Sequence, residues 1–258
     1  MGPAFVMTTN EQFRRTIRLV GPERFRRIQS AFVVVVGLGA VGSYAVEGLA
    51  RAGVGRLRLV DFDVVKPSNI NRQLYALHST VGLPKSEIAR QRVHDIYPAC
   101  QVECLHAFVH VDTMESVLAG PPDLVVDAID ALNPKVELLS AAITRGLPIV
   151  SSMGAAGRTD PGAIRVGPLS ASLNCHLARM IRKRLRRRQL PLNLTAVYSV
   201  ELAPEPFAGE LAEVEAEETF VRGRPREPLG SLPTLTGMFG LALANSALQT
   251  LAGGALTD

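Results

Sequence analysis

Gly37, Gly39 and Gly42 stand in the spacing G-x-G-x-x-G directly after the apolar run Ala31 to Val36. Asp61 follows Gly42 by 19 residues, at the end of the next apolar run. A phosphate-binding turn uses each glycine differently: the first bends tightly, the second lets backbone approach a phosphate, and the third allows helix and strand to pack closely. The exposed N–H groups and positive end of the following helix attract phosphate oxygens. A carboxylate at the tip of the second strand accepts hydrogen bonds from ribose hydroxyls. These four residues specify an adenine nucleotide and leave the reaction open.

The residues that follow narrow it. Asp61-Phe62-Asp63 leads into Ser68-Asn69-Ile70-Asn71-Arg72-Gln73 and then Gly82-Leu83-Pro84-Lys85. Two cations, Arg72 and Lys85, lie just past the ribose carboxylate, with the amides of Asn69 and Gln73 between them. That layout suits a triphosphate, whose added charge needs cationic partners beyond a glycine turn. A hydride-transfer enzyme would use the glycines and Asp61 and have no purpose for Arg72, Lys85 or a further carboxylate. That carboxylate is Asp130, which ends the run Asp127-Ala128-Ile129-Asp130 after apolar Leu124 to Val126. Mg²⁺ favours carboxylate and phosphate oxygens, which makes Asp130 its candidate ligand.

A second chemistry lies in the run 179–188, RMIRKRLRRR, with seven cations in ten residues. On a helix, Leu177, Met180, Ile181 and Leu185 would face inward and leave the cations outside. No acids in the neighbouring sequence offset them, so the run needs a counter-anion, and nucleic-acid phosphate fits. Arg179, Arg182, Lys183, Arg186 and Arg187 are the candidate contacts. The net charge of +4 leans the same way.

The elements that must hold these residues alternate strand and helix, which implies an α/β fold: a Rossmann-like, mostly parallel sheet with helices on both faces. A chain of 258 residues, 47% hydrophobic, suffices for one large core. We expect a single domain over 1–258 with a nucleotide-binding half at about 30–151 and a substrate-facing half at about 152–258. Residues 202–230, rich in Pro and Glu, read as a flexible acidic loop. Leu235 to Leu251 reads as an apolar helix starting near Pro233-Thr234, buried or at a dimer interface rather than in a membrane. Few cysteines and no signal peptide point to a cytoplasmic setting.

From Phe13 to Val166 these motifs resemble the E1-like adenylate-forming superfamily, which includes ubiquitin-activating enzymes and the adenylyltransferases of molybdopterin and thiamine synthesis. The resemblance implies that Gly37, Gly39, Gly42 and Asp61 hold ATP. It implies also that Asn69, Arg72 and Gln73 surround the phosphates, Lys85 serves the α-phosphate and Asp130 binds magnesium. Arg15, within Phe13-Arg14-Arg15-Thr16-Ile17-Arg18-Leu19, matches an arginine that some relatives send into the partner subunit's ATP site, which implies a homodimer.

Within the superfamily, the chain is most similar to the bacterial tRNA threonylcarbamoyladenosine dehydratases. The similarity is carried by Arg24-Phe25, 69–73, 127–130, the stretch Gly154 to Pro161 and the basic helix. It implies an acceptor carboxylate on tRNA, at adenosine 37 of the anticodon loop. The alternative is activation of a ubiquitin-like or sulfur-carrier protein. Relatives of that kind generally hold zinc through two C-x-x-C pairs or use a catalytic thiol. This chain has only Cys100, Cys104 and Cys175 and no C-x-x-C, which leaves no zinc knuckle. Departures from the dehydratase pattern fall at Ala131, at Cys175-His176 and at Ala196, the last two expected on the side facing the tRNA or the crossover loop.

Overall fold

The run Phe32-Val33-Val34-Val35-Val36 is buried at every position and forms the central strand β1 (Phe32–Val36). A strand buried on both faces reads as a continuous apolar run rather than an alternating one. Val33 and Val35 enter one core, and Phe32, Val34 and Val36 the other. The computed structural model describes residues 11–202 and 229–256. The chain opens with helices α1 (Arg14–Val20) and α2 (Pro22–Ser30), which precede β1. After it come α3 (Gly42–Ala52), β2 (Arg56–Val60), α4 (Lys85–Ile96), β3 (Gln101–Leu105) and β4 (Leu124–Asp127). Then follow α5 (Leu132–Thr144), β5 (Ile149–Ser152), β6 (Ile164–Pro168), α6 (His176–Arg187), β7 (Thr195–Ser199) and α7 (Pro233–Ala252).

The seven strands form one sheet in the order β3-β2-β1-β4-β5-β7-β6. All neighbours are parallel except β6 and β7, and the register runs Val36 beside Val60 on one side and Asp127 on the other. The strand order reverses between β1 and β4, so the crevice beyond their carboxyl ends is where such a sheet places a ligand. One face is covered by α2, α3, α4 and α7, the other by α5 and α6.

Helix α7 is the apolar segment expected from Leu235 to Leu251, and most of it is buried, one of the two placements expected for it. It lies against α3, β5 and β7 of its own chain. Phe239, Leu243 and Ala247 are fully buried there. Glycines bring the two helices close: a Cβ on Gly48 would come 2.9 Å from Ala244 Cβ, and one on Gly240 would overlap the Val41 carbonyl. The apolarity of α7 is therefore used mainly inside the subunit, and only Met238 and Leu241 among its large apolar side chains are exposed. Among the described residues no helix is long and apolar enough to cross a membrane. The loop expected at 202–230 falls on residues 203–228, which lie outside the described residues.

Candidate functional site

The glycine turn joins β1 to α3 and is tight for identifiable reasons. Gly37 has φ +87°, and a Cβ there would sit 2.9 Å from the Ala128 carbonyl oxygen. A Cβ on Gly42 would overlap the Gly37 carbonyl oxygen, so α3 could not approach the strand. Gly39 differs, because a Cβ would meet only the Gln73 side chain, at 3.7 Å. Protein packing does not require glycine at 39, and the space above the turn is left open by the described residues.

Asp61 follows β2 and is buried. Its Oδ2 accepts the Leu38 N–H at 2.6 Å and its Oδ1 the Asp63 N–H at 2.8 Å. The carboxylate thereby ties the strand tip to the glycine turn, and each oxygen retains a lone pair for a ligand hydroxyl. Burial pushes the Asp61 carboxyl above its ordinary range, against the pull of Lys85 and these two N–H groups. Phe62 and Phe108 meet edge to face at 5.1 Å, forming an aromatic wall next to Asp61 in the chain.

Lys85, the first residue of α4, is buried and its Nζ lies 2.9 Å from Asp63 Oδ2. Backbone ties hold this pairing: Lys85 N–H donates to Asp63 O and Val65 N–H to Leu83 O. Asn69 is buried, and its Oδ1 accepts the Lys66 N–H at 3.2 Å, closing the turn that carries the next residues. Arg72 donates to Ser68 O and Asn71 Oδ1 at 3.0 and 2.8 Å, and Gln73 points towards Gly39.

On the other side of the turn, Ala128 abuts Gly37 and leads to Asp130, which is exposed. The sequence signalled Asp130; it did not signal what holds it. Asp127 and Lys135 are both fully buried and paired, Nζ to Oδ2 at 2.8 Å. Ser151 Oγ donates to the same Oδ2 at 2.6 Å, and Lys135 Nζ also donates to Ile129 O at 2.8 Å. Among the described residues no three His, Cys, Asp or Glu side chains cluster as a metal cage. A magnesium ion here would rest on Asp130 and phosphate oxygens, the mode Mg²⁺ favours.

Helix α6 bears the basic run, and here the structure corrects the expectation. Ala178, Ile181 and Leu185 are its buried residues, while Leu177 and Met180 are only half-buried. Acids do offset part of the run: Arg188 pairs with Glu137 of α5 and donates to Ser140 Oγ, and holds the Glu137 carboxyl below the usual carboxylate range. Arg184 bonds Asn133 Oδ1. Arg182 is half-buried and donates to Ser172 O at 2.6 Å, so it anchors the helix rather than facing solvent. Arg179, Lys183, Arg186 and Arg187 remain, all exposed, on one face over about 12 Å of helix. Asn174, just before α6, donates to Val200 O beyond the end of β7, so the first turns of α6 lie on the carboxyl-end side of the sheet, and Arg184 in its last turn reaches Asn133.

Arg15 is not brought to this site. It lies exposed on α1, whose Phe13 neighbour packs on Phe25 and Tyr97, beyond the end of α4 opposite Lys85. The cysteines are structural. Burial pushes the Cys100 thiol up to about 12 and Cys104 to about 11, and Cys175 Sγ caps α6 by accepting the Ala178 N–H at 3.4 Å. Ala196 is fully buried in β7, between Ser151 and Gly167, so that departure lies in the core and not on a tRNA-facing side.

The profile of the ThiF family matches residues 13–257. The tRNA threonylcarbamoyladenosine dehydratase of Bacillus subtilis is 35% identical over 88% of this chain and 90% of its own. The solved Escherichia coli tRNA N6-threonylcarbamoyladenosine dehydratase in complex with ATP has a TM-score of 0.83 and 31% identity, covering 95% of each chain. The molybdopterin-synthase adenylyltransferase of Salmonella typhimurium is 40% identical, over 52% of this chain and 52% of its own.

Proposed function

The chain belongs to the ThiF family, and from that membership we propose that it is an ATP-dependent tRNA threonylcarbamoyladenosine dehydratase. It adenylates the carboxylate of N6-threonylcarbamoyladenosine at tRNA position 37 and closes that group into a ring. The observation that carries this reading is the reach of the similarity. It runs over 88% of the chain for a dehydratase and over 52% for a carrier-protein adenylyltransferase. At 229 of 258 residues, the dehydratase similarity includes α6.

Adenosine is anchored by Asp61 beside the Phe62–Phe108 wall, and the glycine turn, Arg72 and Gln73 receive the phosphates. The acceptor carboxylate attacks the α-phosphorus, and the bond from that phosphorus to the pyrophosphate oxygen breaks. Lys85, already in its ammonium-paired geometry, stabilises the charge that develops on the α-phosphate. The carbamoyl group then attacks the acyl-adenylate carbonyl and AMP leaves, so the net change in the substrate is loss of water. Asp130 is the residue that would hold magnesium, which when bound would supply charge neutralisation on the departing oxygens. No protein nucleophile is needed, which agrees with three cysteines occupied in packing and capping. Orientation and charge stabilisation carry the rate.

For the acceptor, the exposed stripe Arg179, Lys183, Arg186 and Arg187 offers cations to the tRNA backbone, whose phosphates repeat along one strand. We infer also that two chains pair about a two-fold axis and that Arg15 of each completes the other's ATP site. The far placement of Arg15 from its own glycine turn supports that reading. The reaction belongs in the cytoplasm, where the tRNA is.

The test is incubation of the protein with ATP and either tRNA bearing threonylcarbamoyladenosine or a sulfur-carrier protein, with nucleosides and adenylates followed by mass spectrometry. The proposal expects AMP, pyrophosphate and a modified nucleoside lighter by one water. A carrier-protein adenylate with unchanged tRNA would overturn it in favour of the activator class.

A further inference from the structure

The structure assigns a positioning role to the buried Asp127–Lys135–Ser151 cluster: it holds the backbone of residues 128–130, which present Asp130 and support the glycine turn. Four contacts converge on that short segment. Lys135 Nζ reaches both Asp127 Oδ2 and Ile129 O at 2.8 Å. Ser151 Oγ reaches Asp127 Oδ2 at 2.6 Å, and the Ile129 N–H returns to Asp127 Oδ1 at 3.1 Å. Ile129 is thus held at both its N–H and its carbonyl, by the two members of one ion pair.

The cluster is a poor device for stability alone. Both charged side chains are fully buried, and taking two ions out of water offsets much of their attraction; apolar groups of similar volume serve a core as well or better. What an ion pair adds is direction, since each of its hydrogen bonds has a required length and angle. Here the direction is spent on the loop between the two halves of the site. On one side Ala128 O lies 2.9 Å from where a Gly37 Cβ would be. On the other, Asp130 is one residue beyond the clamped carbonyl. A shift of the loop would move the carboxylate and the floor of the phosphate turn together. Such misplacement is costly to rate even when binding survives.

The role of Asp130 itself rests on the adenylation reading, so the experiment separates the two. The double variant Asp127→Asn/Lys135→Met removes both charges at similar volume, and Ser151→Ala removes a single hydrogen bond. Each is compared with the parent and with Asp130→Asn. The measurements are the thermal melt, hydrogen exchange of the 127–135 peptide, calorimetric ATP binding with and without magnesium, and steady-state kcat and KM. The proposal expects the double variant to melt cooperatively and to lose exchange protection at 127–135. It expects kcat to fall by about ten- to a hundredfold while KM for ATP changes little, because Asp61 anchors the adenosine elsewhere. Ser151→Ala should shift the same readouts in the same direction by a smaller amount, which keeps the idea testable if the double variant does not fold. Parental protection and kcat in a folded variant would overturn it. If Asp130→Asn binds Mg·ATP like the parent while the cluster variants still lose kcat, the metal role fails and the positioning role stands.

Discussion

Lys85 and Asp61 show how two charges near the same strand tip serve different ends. Lys85 is buried against Asp63, so its ammonium is held by an anion before any nucleotide arrives. In the proposed mechanism an incoming α-phosphate would exchange one anionic partner for another and require no new burial of the lysine. Lys85→Ala should lower turnover by a factor of about 10² to 10³, as for loss of one stabiliser of developing charge. ATP affinity should fall less, and a steady-state assay beside an ATP titration separates the two. Near-normal turnover would remove Lys85 from the mechanism. Asp61 carries a pH dependence of definite sign. Its carboxyl is raised by burial, so the folded protein without nucleotide is favoured by protonation there, and that contribution is lost as pH rises through the folded value. In the proposed site the ionised form would accept the ribose hydroxyls, so binding would run the opposite way. Affinity for adenosine, which has no phosphate to titrate, should weaken as pH falls while still above the ordinary aspartate value of about 3.9. Calorimetric titrations across that window check it, and affinity that stays flat down to the ordinary value would contradict the assignment.

At the scale of elements, α6 divides its cations between two tasks. Arg182, Arg184 and Arg188 fasten it to Ser172, Asn133 and Glu137, while Arg179, Lys183, Arg186 and Arg187 face outward. Replacing Lys183, Arg186 and Arg187 with Gln should leave the melt nearly unchanged and weaken tRNA binding. The log–log salt dependence should flatten by about 0.7 to 0.9 per lost phosphate contact. ATP affinity should not move, because the glycine turn lies on other elements. Arg182→Gln should do the reverse, lowering the melting temperature through loss of a hydrogen bond to the Ser172 carbonyl with little change in the salt slope. Filter binding from low to moderate salt and thermal melts decide both, and an unchanged slope in the triple variant would reduce the stripe to a solvated face.

For the whole molecule, the proposed role of Arg15, which lies exposed on α1 away from its own glycine turn, would make assembly part of the chemistry. Light scattering should report a dimer at micromolar concentration. Arg15→Ala and Lys85→Ala, each inactive as a pure protein, should complement when mixed and allowed to exchange. Half of the dimers are then mixed and each has one intact site of two, so about a quarter of parental turnover is expected for an isologous pair. A monomer, or a mixture as inactive as its parts, would deny Arg15 its role. The exposed Met238 and Leu241 on α7 are apolar residues that such an interface has available, although most of that helix is already covered by α3 and the sheet.

What the sequence determined by itself was local in the chain. The spacing of Gly37, Gly39 and Gly42, the five-residue run of β1 and the polar residues from Asn69 to Lys85 each act over a few neighbours, and their period and order sufficed to indicate a mostly parallel sheet and the family. The extent of α7 from Pro233 was legible for the same reason, since helical apolarity repeats along the chain. Only the tertiary structure decided which partners those residues meet. Lys135 looks like an ordinary surface lysine of α5 until the sheet brings Asp127 and Ser151 beside it, and Ala196 looks accessible until β5 and β6 close on both sides. The same holds for the anchoring of Arg188 by Glu137, 51 residues away. Burial and pairing depend on contacts between distant segments, and a charge's role follows from the dielectric and the counter-ion it finds there, neither of which is written in the residues adjacent to it.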